Sequence, residues 1–291
     1  MMMHLPEINT IAILGAGTMG RGIAYASCLA GYQTKLYDVG EEILIQAAKD
    51  VMASFHKAAA KGVVTEEFAA QAFSRLQTTA EFENAVHLAD FVIEAAPEKI
   101  EMKVDLFARL DRYAPKHAVL ATNTSTLSVT EMAGATQRPR QVVGMHFFNP
   151  VPLMKLIEII RGLETDEATV EITKKVALAM RKEPVVINES PGFITTRINA
   201  MIGNEAFYML QEGVASAEEI DKALKLGLNH PMGPFELVDL VGLDTRLHIL
   251  NFLHQTLGEK FRPSPLLVKY VKAGRLGRKV GRGVYDYSGK N

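Results

Sequence analysis

The chain has 291 residues, of which 48% are hydrophobic and 22% charged, and its formal net charge is −1. This composition is typical of a globular protein large enough for two domains, and the near-neutral charge excludes a general attraction to nucleic acid or anionic membranes. We expect no signal peptide, because the start lacks the charged-then-apolar pattern, and no membrane span, because no apolar run is long enough. The single cysteine, Cys28, excludes an intrachain disulfide. A cytoplasmic protein is therefore predicted.

Residues 9–38 have the layout of a dinucleotide-binding unit, with an apolar strand, a glycine-rich loop, a helix and a second strand that ends at Asp38. Gly15 allows the tight turn, Gly17 allows a pyrophosphate to approach, and Gly20 allows the helix to pack on the strand. The carboxylate of Asp38 is suited to ribose hydroxyls and would repel a 2′-phosphate, so NAD is predicted rather than NADP. The predicted cofactor contacts here are Gly15, Ala16, Gly17, Thr18, Met19, Gly20 and Asp38.

Strand-like and helical segments alternate along the rest of the first two thirds of the chain. Apolar runs at 91–95, 118–122, 142–147, 156–160 and 184–187 predict strands, with helical segments between several of them. This alternation predicts an α/β fold, a Rossmann-type doubly wound and mostly parallel sheet. Two further helical segments between 41 and 75 exceed what a simple crossover needs, so we predict a helical hairpin insertion that contacts ligand or serves only as scaffold.

A Pro-Gly pair after residue 188 marks a domain boundary, since strand patterns end there and helical spacing follows. We predict a nucleotide-binding domain over 1–188 and an all-helical C-terminal domain over 189–291 for substrate binding and dimerisation. The second domain is short and rich in apolar helix faces. Such faces are often buried in a partner subunit, which makes a homodimer the expected assembly.

Two polar side chains in the later strands are candidates for chemistry. His146 lies near the end of a predicted strand, where an imidazole that titrates near neutral pH could exchange a proton. Glu158 lies within an apolar strand, and a carboxylate buried there needs a partner such as a histidine that gains charge. The alternatives are a histidine that is only a satisfied polar group and a glutamate exposed on an edge strand.

Several motifs in order along the chain resemble those of the 3-hydroxyacyl-CoA dehydrogenases, including the short-chain 3-hydroxybutyryl-CoA dehydrogenases. Besides the glycine loop and Asp38, they are Asn-Thr-Ser at 123–125, His-Phe-Phe-Asn-Pro-Val-Pro at 146–152, Met-Lys-Leu-Ile-Glu at 154–158, Ser-Pro-Gly-Phe at 190–193, Asn-His-Pro-Met-Gly-Pro-Phe-Glu-Leu at 229–237 and the segment 277–287. The resemblance implies NAD-dependent oxidation of an (S)-3-hydroxyacyl-CoA to the 3-ketoacyl-CoA, and the reverse.

The resemblance also implies roles for individual residues. His146 corresponds to the catalytic base and acid, and Glu158 to the residue that orients it. Ser125 is similar to the family serine that bonds the substrate's 3-oxygen, and Asn149 to a residue near the nicotinamide and the reacting carbon. Further cofactor contacts implied by the family are Glu98, Lys103, Ser125, Asn149 and Lys279.

For the acyl-CoA, the resemblance implies contacts from Ser54, Lys61, Ser125 and Thr196. Without the family, Lys61 reads as an ordinary solvated charge. Thr196 stands where many relatives carry an asparagine, and its hydroxyl has a shorter reach and no amide fork. No metal is expected, because His146 and Ser125 can polarise the keto oxygen. The competing hypotheses are a dehydrogenase of a free hydroxy acid or sugar acid, and a non-catalytic NAD-binding protein of the same fold.

Overall fold

The computed structural model describes residues 7–289, which form two compact units divided between Glu189 and Ser190. The functions predicted for the two domains stay predictions. Among residues 7–289, no helix is long and apolar enough to cross a membrane. Within the same range, no group of three or more His, Cys, Asp or Glu side chains is arranged to hold a metal ion.

The first unit is built on one eight-stranded sheet with the strand order β3-β2-β1-β4-β5-β6-β7-β8. All neighbouring strands run parallel except β6 and β7, which pair antiparallel. The predicted doubly wound, mostly parallel sheet is therefore confirmed. The strands are β1 (Thr10–Leu14), β2 (Gln33–Tyr37), β3 (Leu76–Thr79), β4 (Phe91–Glu94), β5 (Val119–Thr122), β6 (Val142–Phe147), β7 (Leu156–Arg161) and β8 (Glu183–Asn188).

Seven helices connect these strands, and the apolar strands β1, β4 and β5 are buried because helices cover both faces of such a sheet. Strand β3 and the short helices α4 and α6 were not predicted. β3 reads Leu-Gln-Thr-Thr and lies at the sheet edge, so it lacks the apolar run that marks a buried strand. The helices are α1 (Thr18–Leu29), α2 (Glu41–Ala60), α3 (Glu66–Phe73), α4 (Phe82–Val86), α5 (Ile100–Tyr113), α6 (Val129–Gly134) and α7 (Glu167–Ala179).

The predicted helical hairpin is the pair α2 and α3, between β2 and β3. Thr65 caps α3, since its hydroxyl accepts a hydrogen bond from the Phe68 amide at 3.2 Å. The hairpin packs on the dinucleotide-type helix α1, where the rings of Tyr25 and Phe55 have centroids 4.6 Å apart. The buried residues of α2 are Leu44, Ala47, Val51, Phe55 and Ala58. One face of the hairpin thus belongs to the core of the first unit.

The second unit is helical, as predicted, with its own core around Phe207, Phe235 and Leu250. The helix α12 was not predicted. Ser264 caps it and proline is its first residue, a combination that favours helix initiation even in a short segment. The helices are α8 (Thr195–Glu212), α9 (Ala217–Gly227), α10 (Pro234–Val241), α11 (Leu243–Leu257) and α12 (Pro265–Lys272).

A buried carboxylate anchors the C-terminal segment to the helical unit. Asp239 in α10 accepts hydrogen bonds from the amides of Val284 at 2.8 Å and Tyr285 at 2.9 Å, and from the Tyr287 hydroxyl at 3.0 Å. The segment comes so close that an added Cβ at Gly283 would lie 2.0 Å from the carboxylate. This anchor orders a segment that otherwise has little regular secondary structure.

Asp239→Ala leaves three hydrogen-bond donors without their acceptor, so we expect it to lower the free energy of unfolding by about 3 kcal/mol. The measurement is urea unfolding followed by circular dichroism. Asp286→Ala is the matched control, since this exposed aspartate accepts only from Ser288 nearby, and its effect should stay within about 0.5 kcal/mol. Equal effects of the two substitutions would contradict the anchoring role.

Candidate active site

The glycine loop between β1 and α1 has the geometry that a bound diphosphate requires. Gly15 has a φ of +106°, and a Cβ added to it would lie 2.6 Å from the Ala95 carbonyl oxygen. An added Cβ at Gly20 would lie 1.7 Å from the Gly15 oxygen, so this glycine is required for helix packing. At Gly17, by contrast, an added Cβ would meet no atom within 4 Å. The space in front of Gly17 is thus open on the side from which phosphates could approach.

The start of α1 and the end of β2 complete this loop. Helix α1 begins at Thr18, and its N-cap residue Gly17 has no side chain to occupy the first amides. These amides and the helix dipole favour an anion. One carboxylate oxygen of Asp38 accepts a hydrogen bond from the Ala16 amide at 2.8 Å, which ties the acid to the loop. Thr18 is exposed and Met19 is half-buried. The loop therefore fits the diphosphate and ribose of a dinucleotide.

His146 and Glu158 lie opposite each other in the antiparallel pair β6 and β7. The Nδ1 atom of His146 and the Oε2 atom of Glu158 are 2.8 Å apart, and the two residues are only 6% and 1% exposed. Because a carboxylate only accepts, this hydrogen bond places a proton on Nδ1 and assigns the second proton position to Nε2. The arrangement suits an imidazole that becomes charged during a reaction.

The alternative that Glu158 is exposed on an edge strand is wrong, because β7 lies between β6 and β8 and Glu158 is buried. Glu158 is the third of six residues in β7, within an apolar strand as predicted. It reaches the histidine because the pairing is antiparallel. The apolar pattern indicated that this carboxylate needs a partner, and the register of β6 and β7 places His146 opposite it.

Ser125 lies in the loop that follows β5. Glu98, in the connection between β4 and α5, holds this loop in place. One oxygen of Glu98 accepts from the Thr124 hydroxyl at 2.5 Å, the Ser125 amide at 2.9 Å and the Ser125 hydroxyl at 3.3 Å. Burial alone raises the pKa of Glu98, but the Lys103 charge and these hydrogen bonds outweigh it and hold the pKa below its ordinary value. Glu98 is thus an ionised acceptor that orients the serine.

Lys103 lies beneath this loop and is 1% exposed. Its ammonium group lies 2.6 Å from Glu94, 3.4 Å from Glu98 and 3.2 Å from the Ala96 carbonyl oxygen. These ion pairs suit a group that positions the loop, and the cofactor contact predicted for Lys103 stays a prediction. Sequence reasoning missed Glu94, although a lone acid in an apolar strand is the signal that singled out Glu158.

The remaining predicted residues of the first unit lie in loops and in the hairpin. Asn149 is exposed two residues after β6, and the Asn123 side chain secures that strand end by accepting from the Phe147 amide at 2.8 Å. In the hairpin, the Ser54 hydroxyl donates to the Asp50 carbonyl at 2.9 Å, and Lys61 is exposed just after α2. Their ligand contacts stay predictions.

Two predicted residues lie in the helical unit. Thr196 is the second residue of α8 and is half-buried. The Lys279 ammonium group contacts both oxygens of Asp244, at 2.6 Å and 2.7 Å. An added Cβ at Gly242 would lie 3.2 Å from the same ammonium group, so the lysine packs closely against the start of α11. The predicted substrate contact of Thr196 and cofactor contact of Lys279 stay predictions.

Two family models match the chain in sequence order. Residues 10–190 match the 3-hydroxyacyl-CoA dehydrogenase NAD binding domain, and residues 192–287 match the 3-hydroxyacyl-CoA dehydrogenase C-terminal domain. The chain belongs to the 3-hydroxyacyl-CoA dehydrogenase family. Membership confirms the predicted family and class of enzyme, and the match of the first unit to an NAD binding domain confirms the predicted cofactor.

Individual dehydrogenases of this family are similar over nearly the whole chain. A probable 3-hydroxybutyryl-CoA dehydrogenase of Bacillus subtilis is 48% identical, with 98% of this chain and 99% of the relative covered. A 3-hydroxybutyryl-CoA dehydrogenase of Bradyrhizobium diazoefficiens is 45% identical, with 97% and 96% covered. The crystal structure of (S)-3-hydroxybutyryl-CoA dehydrogenase from Ralstonia eutropha is 41% identical, with a TM-score of 0.94 and coverage of 97% of this chain and 100% of that one.

Of the three loop glycines, Gly15 and Gly20 are required by the fold, whereas Gly17 can be substituted without a clash, so it tests ligand binding alone. We expect Gly17→Ala to weaken NADH binding at least about tenfold while the unfolding midpoint stays unchanged, because its Cβ enters only the open space in front of the loop. Fluorescence titration with NADH measures the affinity, and Gly134→Ala, at another position without neighbours within 4 Å, is the control. A Gly17→Ala protein that binds NADH like the parent would show that the phosphates lie elsewhere.

Proposed function

We propose that this protein interconverts short-chain (S)-3-hydroxyacyl-CoA and 3-ketoacyl-CoA with NAD, that 3-hydroxybutyryl-CoA is its substrate, and that His146 is the general base and acid. The observation that carries this proposal is the buried hydrogen bond of 2.8 Å between His146 and Glu158. Similarity to dehydrogenases named for 3-hydroxybutyryl-CoA supports the substrate.

The proton transfer follows from the chemistry of this pair. In the oxidative direction, Nε2 of His146 removes the proton of the 3-hydroxyl group, and the imidazole becomes a cation. Glu158 stabilises that cation through the proton on Nδ1 and keeps the ring in one orientation. NAD held at the glycine loop would supply the hydride acceptor for C3 of the substrate. In the reductive direction, Nε2 returns the proton to the oxygen.

Ser125 and Asn149 complete the proposed catalytic group. The Ser125 hydroxyl can donate to the 3-oxygen of the substrate, where negative charge develops during keto reduction. The ionised Glu98 accepts from the Ser125 amide and hydroxyl, and the hydroxyl would turn its single proton from Glu98 to the 3-oxygen when the substrate binds. Asn149, which follows the strand of His146, is proposed to lie near the nicotinamide. A binding-only module would have no use for this set of groups.

The CoA part of the substrate is proposed to contact the helical hairpin through Ser54 and Lys61. The exposed Lys61 ammonium group suits the phosphates of CoA. Thr196 is proposed to contact the thioester side with a single hydroxyl. The homodimer and the cytoplasmic location predicted from the sequence stay part of this proposal.

His146→Ala should lower kcat for acetoacetyl-CoA reduction by about 10²-fold or more, with NADH affinity little changed, because general acid catalysis is lost. The assay follows NADH absorbance. His117→Ala is the matched control, since His117 also contacts a carboxylate, Asp90, at 3.1 Å but lies outside the proposed site. If the His146→Ala enzyme turned over like the His117→Ala enzyme, the base would lie elsewhere.

The proposed CoA contact separates this activity from that of a dehydrogenase of free hydroxy acids. We expect kcat/KM for acetoacetyl-CoA to exceed that for acetoacetate by about 10²-fold or more, since binding energy of the CoA part contributes to catalysis. Lys61→Met should raise KM for acetoacetyl-CoA severalfold, and Lys116→Met, at another exposed lysine, should not. Equal efficiency with the thioester and the free acid would overturn the substrate assignment.

A further inference from the structure

We propose that Lys182 is a positioning residue that fixes the loop between β6 and β7, and thereby Asn149, against helix α1. Nothing in the sequence singled out this lysine. The anchoring rests on the contacts of the first unit alone, whereas its effect on turnover rests on the proposed function.

The loop covers residues 148–155 and contains a compact turn. The amides of Leu153 and Met154 both donate to the Pro150 carbonyl oxygen at 3.0 Å. Asn149, at the start of the turn, is exposed, whereas Val151 within it is buried. The loop thus presents Asn149 outward while its other side is held by the protein.

The ammonium group of Lys182 binds the backbone of the turn on its buried side. The Nζ atom donates to the carbonyl oxygens of Val151 and Met154, the latter at 2.8 Å. The residue is 6% exposed, and no carboxylate of residues 7–289 forms an ion pair with it. A buried ammonium group is unfavourable without compensation, so the two carbonyl oxygens are its required partners.

The burial of Lys182 also lowers the pKa of its ammonium group below the ordinary value. An apolar side chain would avoid this desolvation, but it could not bridge two carbonyl groups of one turn. Burial of the Lys182 ammonium group is unfavourable, but its two hydrogen bonds hold the loop in one position. The backbone adds a third tie, because the Glu183 amide donates to the Lys155 carbonyl oxygen at 2.9 Å.

The opposite side of the turn packs on the helix of the glycine loop. An added Cβ at Gly22 of α1 would lie 2.8 Å from the Cβ atom of Val151, so the two segments are in close contact. The turn is therefore held between Lys182 and α1. Since α1 begins at the glycine loop and β6 contains His146, this clamp fixes Asn149 relative to both elements.

The test combines hydrogen exchange with kinetics on the full-length protein. In Lys182→Met, which keeps a linear side chain but cannot donate, amide exchange in a peptide covering 148–155 should accelerate about tenfold or more. The kcat for acetoacetyl-CoA reduction should fall about tenfold with KM for acetoacetyl-CoA little changed, as expected for a misplaced group near the reacting atoms. Lys182→Arg, which can still donate to both carbonyl oxygens, should restore most of the protection and of kcat.

Lys155→Met is the control, because this lysine lies at the end of the same loop with its side chain 79% exposed. It should leave exchange and kcat unchanged. Unchanged exchange of 148–155 in Lys182→Met would overturn the anchoring, and faster exchange without a fall in kcat would overturn the positioning role. If the parent enzyme did not reduce acetoacetyl-CoA, the proposed function would fail, while the exchange measurement would still decide the anchoring.

Discussion

The reversal of chain direction between β6 and β7 is the constraint on which the proposed site depends. In an antiparallel pair, residues of adjacent strands lie directly opposite each other on the same face, so His146 and Glu158 meet in the interior of the sheet. The backbone hydrogen bonds of the sheet fix both Cα positions, and the side chains need little freedom to form their bond. A carboxylate buried this deeply needs such a partner, because an unpaired buried charge is unfavourable.

Around this pair, buried lysines order two loops of the same unit. Lys103 contacts Glu94 and Glu98, and Glu98 in turn holds the loop of Ser125. Lys182 contacts the carbonyl oxygens of Val151 and Met154 and holds the loop of Asn149. Both arrangements place polar groups before any ligand binds, so ligand binding does not have to order these loops. The site therefore depends on buried cations that themselves have no direct part in the proposed chemistry.

Patterns that are local in sequence predicted much of this protein. The glycine loop with Asp38 was recognisable because its strand, turn and helix follow one another along the chain, and each glycine has a steric reason. Strand β3 was missed because Leu-Gln-Thr-Thr at a sheet edge carries no apolar run. Glu94 was missed because its partner Lys103 lies on α5, and only the packing of that helix beside β4 brings the two side chains together.

The sequence by itself determined most of the strands and longer helices, the dinucleotide loop and the need of Glu158 for a partner, because these depend on spacing along the chain and on the unfavourable burial of a charge. Only the tertiary structure decided that β7 runs antiparallel to β6, that Lys103 is enclosed between carboxylates, and that Lys182 lies beneath the loop of Asn149. Strand direction and helix packing join residues far apart in the chain. No local pattern encodes such contacts, because they depend on which distant surfaces the folded core brings together.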